Sequence, residues 1–477
     1  MSNVLLLLVI PAIVVLLAVM RCPLRPLTVL VAVASWIQIG ITSWIVGPVL
    51  SSSKVVINLD ANFAIDKTAA WFLLLTTAIT AAALTHAQFF FAQEQAGNSS
   101  PQTSHVRQFY ALSALFLIAM MGVYVSNNLG FLWMSVEATT LCSAGLVYFS
   151  RTRNALEATW KYFMICSVGI AFALLGTILI FASSQFAISA GTLRIDELMR
   201  LGPQLNLTLF KFGFIFCFLG YGTKAGIFPL HSWLPDAHSE APSPASAMLS
   251  GALLNCALFA ILRLCEIAKA SHRLALSNDL TIWAGCITVV AASFFLIRQH
   301  GLKRLWAYSS VENVGLMLIA IGLSSPMLFL LQAANHSFAK VALFLLSGNI
   351  IQSTGTKSLT EIRGIVTLAP CWGILLALAS FAVTGIPPFG SFISEWLILT
   401  RSIEMKHFIP AVLVIIGLSL SFVAVSVHIA RILLGKPRPD AKVFRPLLTS
   451  LVPAILLCCS FLLGITVGPK CIWGIWQ

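Results

Sequence analysis

LTLFKFGFIFCFLGYGTKAGIFPL (207–230) reads as an apolar, aromatic helix that enters a bilayer and is interrupted before it ends. About 20 apolar residues at 1.5 Å each cross the hydrocarbon. Here Gly220, Gly222, Gly226 and Pro229 punctuate the run around Lys224. Gly and Pro loosen the backbone, and carbonyls freed at membrane depth are tolerated only against protein or a water-filled cavity. GIPPFG (385–390) breaks a second apolar run, 370–400, just before Glu395. An interrupted helix beside an ionisable residue is the pattern of a discontinuous-helix ion pathway. The spacing of G-Y-G-T-K-A-G fits neither nucleotide fingerprint, and no strand precedes it.

The rest of the chain has the same character. Of 477 residues, 58% are hydrophobic and 9% charged, where a soluble domain carries about 25% charged residues. The fold class is therefore an all-α polytopic membrane protein, with residues 1–477 as one transmembrane domain. Hydropathy windows place about fourteen helices, at 4–19, 27–49, 69–91, 108–125, 129–149, 157–183, 207–228, 242–265, 280–298, 305–323, 327–351, 370–400, 409–434 and 447–468. Within 108–149 the only break is Ser126-Asn127-Asn128. The first run lacks a basic leader and a small-residue cleavage site, so it reads as a first span and not a signal peptide. The one amphipathic stretch outside the spans, GTLRIDELMRL (191–201), reads as interfacial. Basic residues gather in alternate loops: Arg21 and Arg25, Arg151 and Arg153, Arg298 to Arg304, Lys357 and Arg363, and Arg431 to Arg445. That side should be cytoplasmic, which places both termini in the periplasm of a bacterial inner membrane.

The net charge of +13, from 29 Lys+Arg against 16 Asp+Glu, is scattered over short loops with no aromatic-interleaved stripe. No nucleic-acid partner follows from it; the lipid bilayer is the partner it does imply. The cysteines show no CxxC and no Cys/His ligand spacing, and His231, Asp236 and His238 do not match a zinc ligand set. No cofactor and no metal site is expected, and the chain supplies no redox centre of its own.

Five charges sit inside apolar runs: Glu137, Lys224, Glu312, Lys340 and Glu395. Each costs about 2.5–3.5 kcal/mol at mid-bilayer, so they must be paired or hydrated, and they are functional candidates by default. Glu312 follows the basic loop Lys303-Arg304, so an interfacial reading stands beside the functional one. Lys161 has two readings as well, path member or snorkelling surface lysine. His231, in the polar island HSWLPDAHSE (231–240), is either a relay or a loop-packing residue. His336 and Lys340 are four apart and share a helix face. A lysine alternately paired with and parted from a glutamate can take up and release a proton.

TKAGIFPLHSWLPDAHSEAPSPASAMLSGALL (223–254) resembles the signature of the antiporter-like subunits of respiratory complex I and of Mrp-type cation/proton antiporters. GLKRLWAYSSVENVG (301–315), HSFAKVALFLLSGN (336–349) and GIPPFGSFISEW (385–396) support the resemblance, which covers roughly 60–470. The wording is most similar to the component of this type found in hydrogenase 4, in the group of membrane-bound nickel–iron hydrogenases. The resemblance implies two inverted five-helix repeats, about 108–265 and 280–434, with broken helices 7 and 12 and a hydrated polar axis at the midplane. It implies proton-pathway roles for Glu137, Lys224, Lys340, His336 and Glu395; on that basis Glu137 and Lys224 are expected to form an ion pair whose opening lowers the proton affinity of the lysine. Many relatives place Lys or His where Asn255 stands, so a central relay here runs through water or by a modified path. It also implies partners: other membrane subunits of a hydrogenase or complex I-like assembly and, indirectly, peripheral nickel–iron and iron–sulfur subunits. The alternative within the same chemistry is a cation/proton antiporter or an inorganic-carbon uptake complex.

Overall fold

The computed structural model describes residues 2–51, 56–96, 103–271, 274–437, 439, 441 and 446–475. In the basic loop 431–445, positions 438, 440 and 442–445 lie outside the described residues. Almost everything else is helix, because in lipid a helix satisfies every backbone N–H and C=O within its own segment. Eleven helices among the described residues are long and apolar enough to cross a membrane, and Leu6–Val19 and Pro370–Val383 are shorter apolar ones.

The helices in chain order are α1 (Ser2–Val19), α2 (Leu24–Ser51), α3 (Lys67–Ala96), α4 (Thr103–Val125), α5 (Leu129–Val147), α6 (Arg153–Ser184), α7 (Ile195–Arg200) and α8 (Leu207–Ala225). They continue as α9 (Trp233–Glu240), α10 (Ser243–Met248), α11 (Leu254–Ala270), α12 (Leu274–Ile297), α13 (Leu302–Gly322) and α14 (Pro326–Thr354). Last come α15 (Ile365–Leu368), α16 (Pro370–Val383), α17 (Gly390–Glu404), α18 (Phe408–Leu433) and α19 (Pro446–Ile475). Both interruptions read from the sequence are present, between α8 and α9 and between α16 and α17. The chain divides into two compact units: Met1–Ala81, Thr103–Trp233 and Ala252–Thr281 form the first; Ala82–Gln102, Leu234–Gly251 and Ile282–Gln477 form the second.

In the first unit the break at 126–128 separates α4 from α5. Asn128 caps α5, its side chain accepting from the Gly130 N–H at 2.8 Å, so the polar triplet acts as a helix start. An element that hydropathy does not reveal precedes α3: an antiparallel pair, β1 (Val56–Asp60) and β2 (Phe63–Asp66). It is far too short to span, and it ends on Asp66, which caps α3 through the Ala69 N–H at 2.8 Å. Asp66 also pairs with Arg263 at 2.6 Å. Part of the apolar side of the amphipathic stretch 191–201 packs inside the protein, while Met199 is exposed. Ile195 and Leu198 are buried in protein, and the segment bonds to the α4–α5 turn through Ile195 N–H to Asn127 O and Leu129 N–H to Leu193 O, each 2.9 Å. Burial works to raise the Asp196 carboxyl there, but the Arg194 guanidinium and the Asn127 amide outweigh it and hold the group below its ordinary range. A cavity of about 680 Å³ opens beside this segment. Two of its arginines are matched by its acids, Arg263 with Asp66 and Glu266 and Arg194 with Asp196, and Arg200 lies 3.8 Å from Glu197 beside it.

The α6–α8 packing positions the site. Along α6, Leu156, Trp160, Met164, Val168, Phe172 and Leu175 form an exposed apolar stripe. Ala155, Ala158, Tyr162, Cys166, Gly169, Ala173 and Gly176 form the buried one. Small residues face the neighbouring helix and large ones face outward, as expected where lipid is as apolar as the core and helices associate by close packing. The backbones touch: a Cβ at Gly176 would lie 2.6 Å from Gly213 O, and one at Gly220 would lie 2.5 Å from Gly169 O.

Candidate functional site

Lys224 lies in the last turn of α8, which ends at Gly226 with φ +81°. That left-handed residue lets the chain turn away one residue after Ala225. Trp233 locks the turn: its Nε1 donates to Thr223 O at 2.9 Å and its ring meets Tyr162 at 4.7 Å. The Lys224 ammonium is fully buried. Its Nζ donates to Tyr162 OH at 2.6 Å and to Thr140 Oγ1 at 2.8 Å, and it lies 4.8 Å from the centre of the Tyr162 ring. Hydrogen bonds to a charged group contribute about 1.5–3 kcal/mol each, so two of them match the cost of placing the charge in the membrane.

Glu137 on α5 does not contact Lys224 directly, which corrects the expected ion pair. Its Oε2 accepts from Thr140 Oγ1 at 3.3 Å and its Oε1 from Ser167 Oγ at 3.2 Å. Thr140, three residues on along the same helix face, occupies the space between the two charges. Among the described residues none of the five intramembrane charges forms an ion pair. Asn255 is fully buried two positions past a π-helical turn, Leu249–Leu253, that joins α10 to α11. Such turns recur at functional sites, and nothing in the local sequence announces this one. His231 is buried on the stretch that joins α8 to α9, with its ring 5.4 Å from Phe228. Lys161 stands apart from the constellation. It pairs with Glu157 at 2.7 Å with about half of its side chain exposed. Lys161→Ala should leave proton transport within about twofold of the parent, since an exposed i,i+4 pair contributes only ~0.3–0.5 kcal/mol; vesicle transport assays check this.

The second unit holds its own buried lysine. Lys340 on α14 is fully buried, and its Nζ donates to Trp306 O at 3.1 Å. Ser310 Oγ donates to the same carbonyl at 2.8 Å and meets Ser250 Oγ at 2.8 Å. His336, one turn before Lys340, sits 3.3 Å from Ser250 O through Nε2. Glu312 is 2% exposed and accepts from Ser421 Oγ at 2.8 Å, so its carboxylate lies inside the protein. Glu395, in the second turn of α17, is 7% exposed, and its Oε1 is buried with no partner among the described residues. It lines a cleft of about 400 Å³ walled by Phe392, Trp396, Leu418 and Phe422. A hydrogen-bonded chain ends at the neighbouring residue Ser394: Gln332 Nε2 donates to Asn313 Oδ1 at 2.9 Å, and Ser394 Oγ donates to Gln332 Oε1.

Sequence reasoning misses three kinds of residue here. Thr140 and Tyr162 are hydroxyls on helix faces whose direction hydropathy does not reveal; the i+3 spacing of Thr140 from Glu137 is the available signal. Gln332 and Asn313 carry no charge and stand out only once packed. His238 reads from the sequence only as an unconvincing metal ligand. It is fully buried and stacked on Phe344 at 4.9 Å, and both ring nitrogens lack partners among the described residues. No group of three or more His, Cys, Asp or Glu among the described residues could hold a metal ion.

Residues 126–456 match the family model for the NADH:quinone oxidoreductase/Mrp antiporter transmembrane region. A hydrogenase-4 component F homolog of Methylacidiphilum infernorum is 35% identical over 414 residues, 86% of each chain. Hydrogenase-4 component B of Escherichia coli is 31% identical over 302 residues, 59% of this chain and 43% of that longer one. The fold matches a chain of the archaeal membrane-bound sulfane sulfur reductase with TM-score 0.85 and 23% identity, over 98% of this chain and 95% of that one. A chain of the Mrp complex from Dietzia sp. matches with TM-score 0.84 and 19% identity, over 96% and 94%.

Proposed function

Since the chain belongs to the NADH:quinone oxidoreductase/Mrp antiporter transmembrane family, and so is an antiporter-like membrane subunit, we propose that it translocates protons within a redox-driven complex of the hydrogenase-4 type. The observation that carries this reading is the pair of fully buried lysines, Lys224 and Lys340, each held by neutral oxygens without a direct carboxylate partner. An ammonium so placed can release its proton without breaking an ion pair. The same chemistry favours H⁺ as the ion: a lysine carries a proton and repels Na⁺, whereas a carboxylate among carbonyls would accept either.

Glu137 tunes the Lys224 charge in one unit, and Glu312 has the corresponding task near Lys340 in the other. His336, His238 and Glu395 offer further proton-accepting positions, with His231 and Asn255 beside the broken helix contributing through water. Conformational work done by redox partners shifts the lysines between charged and neutral forms. The chain brings no cofactor; nickel–iron and iron–sulfur centres belong to peripheral subunits of the assembly. Its place is the bacterial inner membrane, with the basic loops cytoplasmic and both termini periplasmic.

Gentle solubilisation followed by capture of the tagged chain tests the parent complex. A nickel–iron large subunit with iron–sulfur proteins should co-purify. Recovery with only antiporter-like chains, or with an inorganic-carbon uptake partner, would replace this reading with the transporter one.

A further inference from the structure

The hydroxyl of Thr140 is used differently from those of most threonines inside these helices. Threonine hydroxyls inside these helices ordinarily turn back on the preceding turn: Thr159 donates to Ala155 O, Thr177 to Ala173 O, Thr223 to Leu219 O and Thr281 to Ser277 O, at 2.7–2.9 Å. That is the default for a hydroxyl in an apolar helix, where the i−4 carbonyl is the nearest acceptor. Thr140 departs from it. It accepts from the Lys224 ammonium at 2.8 Å and donates to the Glu137 carboxylate at 3.3 Å.

The second oxygen on Lys224 leads elsewhere. An ammonium only donates, so the Tyr162 hydroxyl receives its bond and directs its own proton to Ser143 Oγ, 2.5 Å away. Ser143 in turn donates to Thr139 O at 2.5 Å. This branch ends on a backbone carbonyl, which cannot keep a proton. The Thr140 branch ends on a carboxylate, which can.

We propose that Thr140 is the positioning residue that passes a proton between Lys224 and Glu137. The step is a double hop. Thr140 Oγ1 takes a proton from the Lys224 ammonium while its own hydroxyl proton moves to Glu137 Oε2. Lys224 becomes neutral, Glu137 becomes a carboxylic acid, and Thr140 ends as a hydroxyl pointing at the lysine nitrogen. Rotation of that hydroxyl resets the bridge. Two charges are thus removed from a low-dielectric interior in one step, with no separated ion left behind. Tyr162 is the fixed anchor that holds the lysine during the exchange. The inference rests on the reading of Lys224 as a proton carrier.

The test uses inverted membrane vesicles carrying the intact complex, energised with H₂ and an electron acceptor, with proton uptake followed by an acridine dye. Thr140→Val keeps the volume and removes the hydroxyl, and it should lower proton uptake about a hundredfold, at the modest end of what a positioned proton-transfer group contributes. Thr140→Ser keeps the hydroxyl and loses the methyl, and it should retain at least about half. A packing role predicts the reverse order, so uptake by Thr140→Val equal to or above that of Thr140→Ser would overturn the proposal. If Thr140→Val does not assemble, Thr140→Ala against Thr140→Ser gives the same comparison. Full uptake in Lys224→Ala would overturn the proposal and the reading beneath it together. Loss in Lys224→Ala with full uptake in Thr140→Val would overturn the bridge alone.

Discussion

Lys224→Ala is expected to reduce proton uptake to the level of vesicles lacking the chain, while the complex still assembles. The side chain is fully buried and its charge is held by two hydroxyls. Neither Thr140 nor Tyr162 depends on the lysine to be satisfied, because Thr140 also bonds Glu137 and Tyr162 also bonds Ser143. Glu137 likewise keeps Thr140 and Ser167 as donors when the ammonium is gone. Packing loss is the remaining cost, about 2–5 kcal/mol for a large-to-alanine change in a core, and Lys224→Met limits it by keeping most of the volume. Loss of a step that no other group in this unit can perform should exceed about a hundredfold, as for an essential proton-transfer residue. Co-purification of the partner subunits checks assembly, and dye quenching checks uptake. Undiminished uptake in both variants would end the lysine reading.

The second large effect is structural, at Gly220. A methyl there would meet Gly169 O at 2.5 Å and Ala173 N at 2.6 Å, both backbone atoms that cannot step aside. Overpacking usually costs about 1–3 kcal/mol because side chains shift; here two helices would have to part instead. Lys224 lies one turn further along α8 and its anchor Tyr162 lies on α6, so the same separation would draw the lysine from its hydroxyls. Gly220→Ala should therefore abolish accumulation of assembled complex, or leave a fraction of it with a lowered melting midpoint in detergent. Gly40→Ala is the control. Nothing lies within 4 Å of a Cβ at that position in α2, and alanine is the better helix former by about 1 kcal/mol. Equal assembly of the two variants on native gels would contradict the close-packing account.

Much of this protein can be read without coordinates. A chain so poor in charge must cross a membrane repeatedly, and ionisable residues that persist in such segments mark themselves. Gly220 to Pro229 and Gly385 to Gly390 announce both interruptions, since those residues weaken a helix wherever they stand. The 126–128 triplet is a helix start because Asn caps well. What hydropathy lacks is direction. Lys161 and Tyr162 are neighbours; the first, the charged one, is half exposed, and the second holds the buried lysine.

Membership of the bilayer, the positions of the breaks and the identity of the buried charges were determined by the sequence itself, because each follows from transfer costs and backbone chemistry that act locally. Which face of α6 is buried, that a hydroxyl separates Glu137 from Lys224, and that the 249–253 turn widens before Asn255 were decided only by the tertiary structure. The physical reason is the solvent. Lipid and protein core are equally apolar, so no hydrophobic contrast orients a helix, and orientation falls to the close fit of small residues such as Gly176, Gly213 and Gly220 against the backbone they touch.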